Sequence, residues 1–472
     1  MFRKILVANR GEIAVRVMRT CKEMGITTAV VYSDADINSL HVKLADEAYY
    51  IGPPEAMASY LNMDKLLEIA IRSKSEAIHP GYGFLAENPE FAEMCEKHGI
   101  VFIGPPSQSM LKVKPKNRAR QLMRLLNIPI VPGGDEAYSD VTGENFDKID
   151  KIADEVGYPI IIKPAGGGGG IGMVTADRKE DLKNALMMAQ ESGRKAFGVP
   201  SFYVEKLLTG VKHIEVQVLA DKFGNVIHLG DRDCSVQRRH QKLIEEAPCS
   251  ILTPHLRMKM YVAAMDVAVA LQYVNALTVE FFYNPSTQEF YFNEVNTRLQ
   301  VEHCVTELAT NFDIVKEQIR IAAGEVLSCT QDEVGINAHA IECRIQAEDV
   351  AKNFLPTPGV ITELRFPHGI GVRIDEGVQE NFEVPIYYDS LLFKLMVRGK
   401  TRDEAVLRMK RALDEIIIGG VQSTVLFHQV ALEDETFKNG RYTTDFVTER
   451  DIVQKVRERM RILSSPEDMY FG

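Results

Sequence analysis

The chain has 472 residues, too many for a single hydrophobic core, so roughly two to four domains are expected. Its 45% hydrophobic and 26% charged residues are ordinary for a globular protein, and nothing approaches the roughly 18 consecutive apolar residues of a membrane span. The formal charge of −11 speaks against a nucleic-acid partner, which would call for a basic face.

Residues 1–113 alternate short apolar runs with helical patterns. Lys4 to Ala8 is a strand, Gly11 to Met24 a helix with Ile13, Val17 and Met18 on its apolar face, and Thr28 to Tyr32 a second strand. Apolar runs at Ala77-Ile78 and Ile100 to Ile103 continue the pattern of a doubly wound parallel sheet. The opening MFRKILVANRGEIA has too short an apolar run for a secretory signal and reads as the first buried strand. NRGEIA falls at the first strand-to-helix turn, where a helix N-terminus can meet an anion; the dinucleotide fingerprint G-x-G-x-x-G is absent there.

Residues 114–330 read as a second domain. Its first part, to about residue 205, is an α/β unit with a strand at Ile160 to Lys163; the rest holds long strands, a helix from Pro254 to Leu271 and a hairpin. Residues 331–446 read as mixed α+β, with a strand at Ala338 to Ile345 and a helix at Arg402 to Ile416; the charged 447–472 read as a helical tail. Seven scattered cysteines without a C-x-x-C pair fit a reducing compartment, so a cytoplasmic location is expected. His41, His98, His228 and His428 have no evident partners and are read as surface or core residues.

Two segments carry chemistry. AGGGGGIGM, Ala165 to Met173, comes just after Lys163 at a strand end. Glycine lets the backbone fold over a phosphate and aim successive N–H groups at it, and the lysine adds a point charge. The Walker pattern is absent, so this is a different phosphate cover or, alone, a flexible linker. The second segment is LTVEFFYNPSTQEFYFNEVNTRLQVEH, Leu277 to His303, two alternating strands around an Asn284-Pro285-Ser286 turn. Glu294, Asn296, Arg298, Gln300 and Glu302 recur every second residue, so an extended backbone would align them in one polar row. Singly, each is as readily the wet face of an antiparallel strand. The unbroken row beside Glu280 on an apolar strand points instead to a site: two carboxylates and an amide for Mg²⁺, a guanidinium for a small planar anion, and a carboxylate to take its proton.

EVNTRLQVEH closely resembles the signature of the biotin carboxylase family. The resemblance extends through HPGYGFLAEN (His79 to Asn88), EKLL (Glu205 to Leu208), KHIEVQVL (Lys212 to Leu219), DRDCSVQRRHQKLIEEAP (Asp231 to Pro248), IECRIQAED (Ile341 to Asp349) and YYDSLLFKL (Tyr387 to Leu395), and covers about residues 1–446. It implies an N-terminal α/β domain, an ATP-grasp fold with a mobile lid at about 132–204, and a C-terminal domain packed against both. It also implies ATP and magnesium (or manganese) as cofactors, bicarbonate, and biotin as a carrier-bound substrate. By the same resemblance Lys116, Lys163 and the glycines Gly167, Gly168, Gly169 and Gly170 take the nucleotide phosphates. Glu205, Lys206 and Leu208 form the adenine hinge, with His213 and His240 nearby. Glu280, Glu294 and Asn296 hold the metal. Lys242, Arg298, Gln300 and the backbone of Val301 hold bicarbonate, Glu302 is the base, and Arg344 faces the biotin ureido group.

Several positions depart from the family pattern: Val113 to Lys116 in place of M-G-D-K, Ile171 for an arginine, Cys304 for a proline, and Thr310 to Asp313 for T-G-V-D. Two other readings stay open from sequence alone: another ATP-grasp carboxylate–amine ligase, or a non-catalytic nucleotide-binding scaffold. Met258-Lys259-Met260 mimics a biotin attachment site but sits in a helical pattern that Thr253 caps. The expected partners are a separate biotin carrier and a carboxyltransferase subunit. The resemblance places Arg16, Arg19 and Glu23, on one side of the first helix, at a homodimer interface, against the alternative of a solvated charged face.

Overall fold

The computed structural model describes residues 1–114, 116–134, 136–164, 172–197 and 201–463. Strands β1 (Lys4–Val7), β2 (Thr27–Ser33), β3 (Glu47–Gly52), β4 (Ala77–His79) and β5 (Val101–Phe102) form a parallel sheet in the order β3-β2-β1-β4-β5. Ile5, Leu6 and Val7 are fully buried, as a strand covered on both faces requires. Helix α1 (Gly11–Glu23) packs Ile13, Ala14, Val17, Met18 and Cys21 into the same core. Because β2 and β4 lie on opposite sides of β1, the carboxyl ends of β1 and β4 flank a crevice. Asn9 ties it together by donating from Nδ2 to the carbonyls of Pro80 at 2.7 Å and Tyr82 at 2.8 Å. The first turn of α1, read from sequence as able to meet an anion, carries its own: Glu12 is buried there and paired with Lys394 at 3.2 Å.

Strands β6 (Ile160–Pro164), β7 (Val174–Ala176) and β8 (Phe202–Lys206) form an antiparallel sheet in the order β7-β6-β8. The helices Gly143–Val156 and Leu182–Phe197 cover it, with Ile149, Ala153, Leu182 and Leu186 against Ile160, Ile162, Phe202 and Val204. Gly167 to Gly170 and Ile171 lie outside the described residues, as does Pro115 within the Val113 to Lys116 departure.

The largest sheet is antiparallel and eight-stranded. It contains β9 (Lys212–Ala220), β10 (Val226–Arg238), β11 (Gln241–Ala247), β12 (Asn275–Asn284), β13 (Glu289–Asn296) and β14 (His339–Gln346), followed by the strands Leu391–Gly399 and Val372–Glu376. Its order is β13-β12-β9-β10-β11-β14, then Leu391–Gly399, then Val372–Glu376. One hydrogen-bonded sheet thus joins strands drawn from residue 212 to residue 399. The helix Pro254–Leu271 has the bounds that its sequence signals set. Thr253 Oγ1 accepts from the Leu256 amide at 3.3 Å, proline occupies the first turn, and Leu256, Met260, Ala264, Val267 and Leu271 are buried. Lys259 projects from the exposed side of this helix. The helix Ile452–Leu463 is amphipathic and docked, with Ile452 and Val456 packed in the core of Phe427, Phe437 and Phe446.

Among the described residues no helix is long and apolar enough to cross a membrane, and all seven cysteines are free thiols. His41 and His428 are fully buried, whereas His98 is exposed. On α1, Arg16 is only 7% exposed and makes its ion pairs inside the chain, with Glu307 at 2.8 Å and Asp313 at 2.9 Å. Arg19 reaches Glu376 at 2.5 Å, and Glu23 is exposed.

Candidate active site

The three sheets converge on one cleft of about 1490 Å³. Every described residue that the sequence singles out for nucleotide, metal, bicarbonate or base lines it. The β12–β13 hairpin builds the end where the sequence reading expects a metal. Glu280 and Glu294 stand directly opposite each other in register, and a bulge follows between Glu280 and Phe281. Glu280 Oε1 accepts from Asn296 Nδ2 at 2.8 Å and Lys242 Nζ at 3.0 Å, while its Oε2 shares a hydrogen bond with His213 Nε2 at 2.8 Å. Glu294 Oε2 accepts from Lys116 Nζ at 3.0 Å. Burial works against the Glu280 charge, but Lys242 and His213 outweigh it and hold the carboxyl well below the ordinary range. Two carboxylates and an amide make the hard oxygen set that Mg²⁺ takes. His213, Glu215 and Glu280 also offer ligand atoms within 4.8 Å of one another.

The expected extended row stops at Asn296, where β13 ends. Beyond it the chain turns, and Glu302 occupies the N-cap of the helix His303–Thr310. Glu87, from the loop after β4, is hydrogen-bonded to the turn. Its carboxylate accepts from the Thr297 amide at 2.9 Å and from Arg298 Nε at 3.0 Å. The row is nevertheless gathered by side chains rather than by strand period. Arg298 Nη1 donates to Gln300 Oε1 at 3.0 Å, and its Nη2 lies 3.4 Å from Asn296 Oδ1. Glu302 Oε1 accepts from Lys242 at 2.7 Å and its Oε2 from Arg344 at 3.0 Å. Burial raises the proton affinity of Glu302, but Lys242 and Arg344 more than offset it and keep the carboxyl well below its usual range. Glu302 is therefore ionised at neutral pH, as a proton acceptor must be.

At the nucleotide end, Lys163 lies near the end of β6 and pairs with Glu205 Oε2 at 2.6 Å; Glu205 also holds Arg120. The Lys206 ammonium caps the carbonyls of Gly157 at 3.0 Å and Tyr158 at 2.8 Å, leaving the 205–208 backbone along the cleft. His240 sits at the left-handed turn between β10 and β11 with φ of 65°, on the rim.

Three contributors had no assigned role in the sequence: Glu87, Glu215 and Glu245. Glu215 Oε2 is gripped by the fully buried Arg232 through Nε at 3.0 Å and Nη2 at 2.9 Å, and Lys242 reaches its other oxygen. Glu245 takes Arg344 Nε at 2.6 Å. The signal was available for Glu215: His213, Glu215 and Gln217 alternate with the apolar Ile214, Val216 and Val218 along β9. Glu87 lies in a loop motif with no periodicity to mark it.

Comparison with known proteins places this geometry. Residues 1–110 match the family model described as biotin carboxylase, N-terminal domain. Residues 115–330 match the ATP-binding domain of the carbamoyl-phosphate synthase L chain, and 342–449 the biotin carboxylase C-terminal domain. A pyruvate carboxylase subunit of Methanothermobacter thermautotrophicus is 51% identical over 98% of this chain and 95% of its own length. Biotin carboxylase 1 of Bacillus subtilis is 48% identical over 96% of this chain and 100% of its own. The structure of a Campylobacter jejuni biotin carboxylase in complex with β-γ-ATP superposes with a TM-score of 0.91 at 44% identity, covering 95% of this chain and 99% of that one. The biotin carboxylase domain dimer of Hydrogenobacter thermophilus 2-oxoglutarate carboxylase, bound to MgADP, ADP and bicarbonate, gives 0.92 at 44% identity, covering 96% and 98%.

Proposed function

We propose, from the premise that this chain belongs to the biotin carboxylase family, that its cleft carboxylates biotin presented by a separate carrier protein, with Glu302 as the base. The activity is that of an ATP-dependent ligase using magnesium, ATP and bicarbonate. The observation that carries the residue assignment is the placement of Glu302, ionised between Lys242 and Arg344, in the same cleft as the facing Glu280–Glu294 pair.

Glu280, Glu294 and Asn296 would hold Mg²⁺, which neutralises charge on the nucleotide phosphates when bound. The protein's own cations now balance those carboxylates, Lys116 on Glu294 and Lys242 on Glu280. Both lysines line the cleft, so they are placed to turn toward phosphate and bicarbonate oxygens. Arg298, braced by Glu87 and Gln300, would fork onto bicarbonate beside the Val301 backbone.

Glu302 removes the bicarbonate proton. The freed oxygen attacks the γ-phosphorus, the bond to ADP breaks, and carboxyphosphate forms. Its collapse to CO₂ and phosphate lets that phosphate take the biotin ureido proton, Arg344 stabilises the ureido oxygen, and the freed nitrogen bonds to the CO₂ carbon. A base held as low as Glu302 is intrinsically weak. Anionic substrate that draws Lys242 and Arg344 toward itself restores its basicity at the moment of use. A homodimer, a carboxyltransferase partner and an intracellular setting complete the reading.

The test is bicarbonate-dependent ATP hydrolysis with free biotin, comparing wild type with Glu302→Gln. A fall of about 10²–10⁴ in the variant is expected. Equal, biotin-independent turnover in both proteins would defeat the assignment.

A further inference from the structure

Beneath the cleft floor, β14 carries Glu342 and Arg344 two residues apart and so on one face. Glu245 of β11 stands directly across from Glu342 in register, and Lys394 of the strand Leu391–Gly399 stands across from Arg344. The helix His303–Thr310, with Glu302 at its cap and Cys304 in its first turn, packs over this face. Glu342 is fully buried, and among the described residues neither of its carboxyl oxygens has a hydrogen-bond partner.

The neighbouring cations are committed elsewhere. Lys394 places its ammonium against the Val301 carbonyl at 2.8 Å, Cys304 Sγ at 3.2 Å and Glu12 at 3.2 Å, which uses the three donors a lysine has. Arg344 engages Glu245 through Nε at 2.6 Å and Glu302 through Nη2 at 3.0 Å. An ionised Glu342 would be a buried anion without a donor, directly across from a second carboxylate. A neutral acid removes both penalties.

We propose that Glu342 is held as an un-ionised carboxylic acid and, by staying neutral, positions the charge of Arg344 for the carboxylation step. The proposal rests on the reading of Arg344 and Glu302 given above. Burial drives the Glu342 carboxyl well above the ordinary range, with Lys394 opposing and Glu245 adding to the rise. Burial raises Glu245 as well, against the pull of Arg344. Of the two facing carboxyls, Glu342 is the one that takes a proton, because Arg344 binds its neighbour Glu245. With that proton in place Arg344 faces two anions, Glu245 and Glu302. Its loss would add a third and hold the guanidinium to the protein when the ureido oxygen needs it. Glu342 touches no substrate; it is a positioning residue.

Two measurements on the full chain test this. Difference infrared spectra of wild type and Glu342→Gln at neutral pH are expected to show the C=O stretch of one un-ionised carboxylic acid that the variant lacks. Changes confined to carboxylate bands would overturn the proposal. In the pH profile of kcat/KM for free biotin, the alkaline limb is expected to move up by about one pH unit or more in Glu342→Gln, which has no proton to lose. Superimposable limbs would also overturn it. Glu342→Met, neutral and of similar length, repeats both readings should the amide fold poorly. The infrared reading needs no turnover, so its failure is distinct from a failure of the biotin carboxylase assignment, which the ATPase of the wild type reports.

Discussion

Glu87 gives the sharpest test of how the cleft is held. Replacing it with alanine removes the acceptor for the Thr297 amide at 2.9 Å and for Arg298 Nε at 3.0 Å, the two contacts that turn the chain out of β13 toward Glu302. The Glu87 side chain is 41% exposed, so solvent screens its ion pair with Arg298, and about 1 kcal/mol or less is assigned to it. The amide bond to a carboxylate adds about 1.5 kcal/mol. Together these amount to roughly 2 kcal/mol of positioning, or about 30-fold in rate. The assay is steady-state ATP hydrolysis with bicarbonate varied, alongside ATP binding measured without bicarbonate. In Glu87→Ala, kcat/KM for bicarbonate is expected to fall about 30-fold while the Kd for ATP changes less than about threefold. Glu87→Gln, which keeps the acceptor but loses the charge, should fall between, at about fivefold. A folded Glu87→Ala protein with kcat/KM for bicarbonate within about twofold of wild type would refute the idea that this clamp sets the Arg298–Glu302 geometry.

Glu307 bridges Arg16 at 2.8 Å and Arg373 at 2.7 Å and accepts the Ile314 amide at 2.9 Å, so Glu307→Gln leaves the buried Arg16 and the half-buried Arg373 short of a partner. Asp313 and Asp375 cover part of that loss, so a destabilisation of about 2–3 kcal/mol, below the full value for a broken buried pair, is expected in the first urea transition. A shift under about 0.5 kcal/mol would contradict the network's role. Acid should weaken the fold before most carboxylates protonate. Burial depresses His41 and His428 to about 4 and His79 and His303 to about 3, all below the ordinary 6.5. The unfolded chain therefore binds protons that the folded chain refuses, and the stability from these groups is complete above about pH 6.5 and lost as pH falls toward 4 and 3. Each group costs roughly 1.4 kcal/mol per pH unit over that window, so the urea midpoint should drop clearly between about pH 7 and pH 5. A flat midpoint across that interval would show that these histidines are not held neutral.

The amino-acid sequence alone determined the local elements and named many of the residues that line the cleft. The helix Pro254–Leu271 is legible to the residue because its cap, its proline and its apolar period are all local signals. The β12–β13 hairpin and its facing glutamates follow from alternation around the Asn284 turn. The motifs that name Lys116, Lys242, Arg298, Glu302 and Arg344 are likewise contiguous stretches. Tertiary structure decided what those groups do to one another. Periodicity carried the polar row straight through Glu302, yet the strand ends at Asn296, where Glu87, some 210 residues away in the chain, holds the Thr297 amide. That Glu302 is ionised while Glu342 is left without a donor depends on Lys242, Arg344, Glu245 and Lys394, which arrive on three strands of one sheet. Propensity and period act over a few residues, whereas desolvation and charge pairing exist only after distant strands have packed, so the electrostatic character of the cleft belongs to the fold.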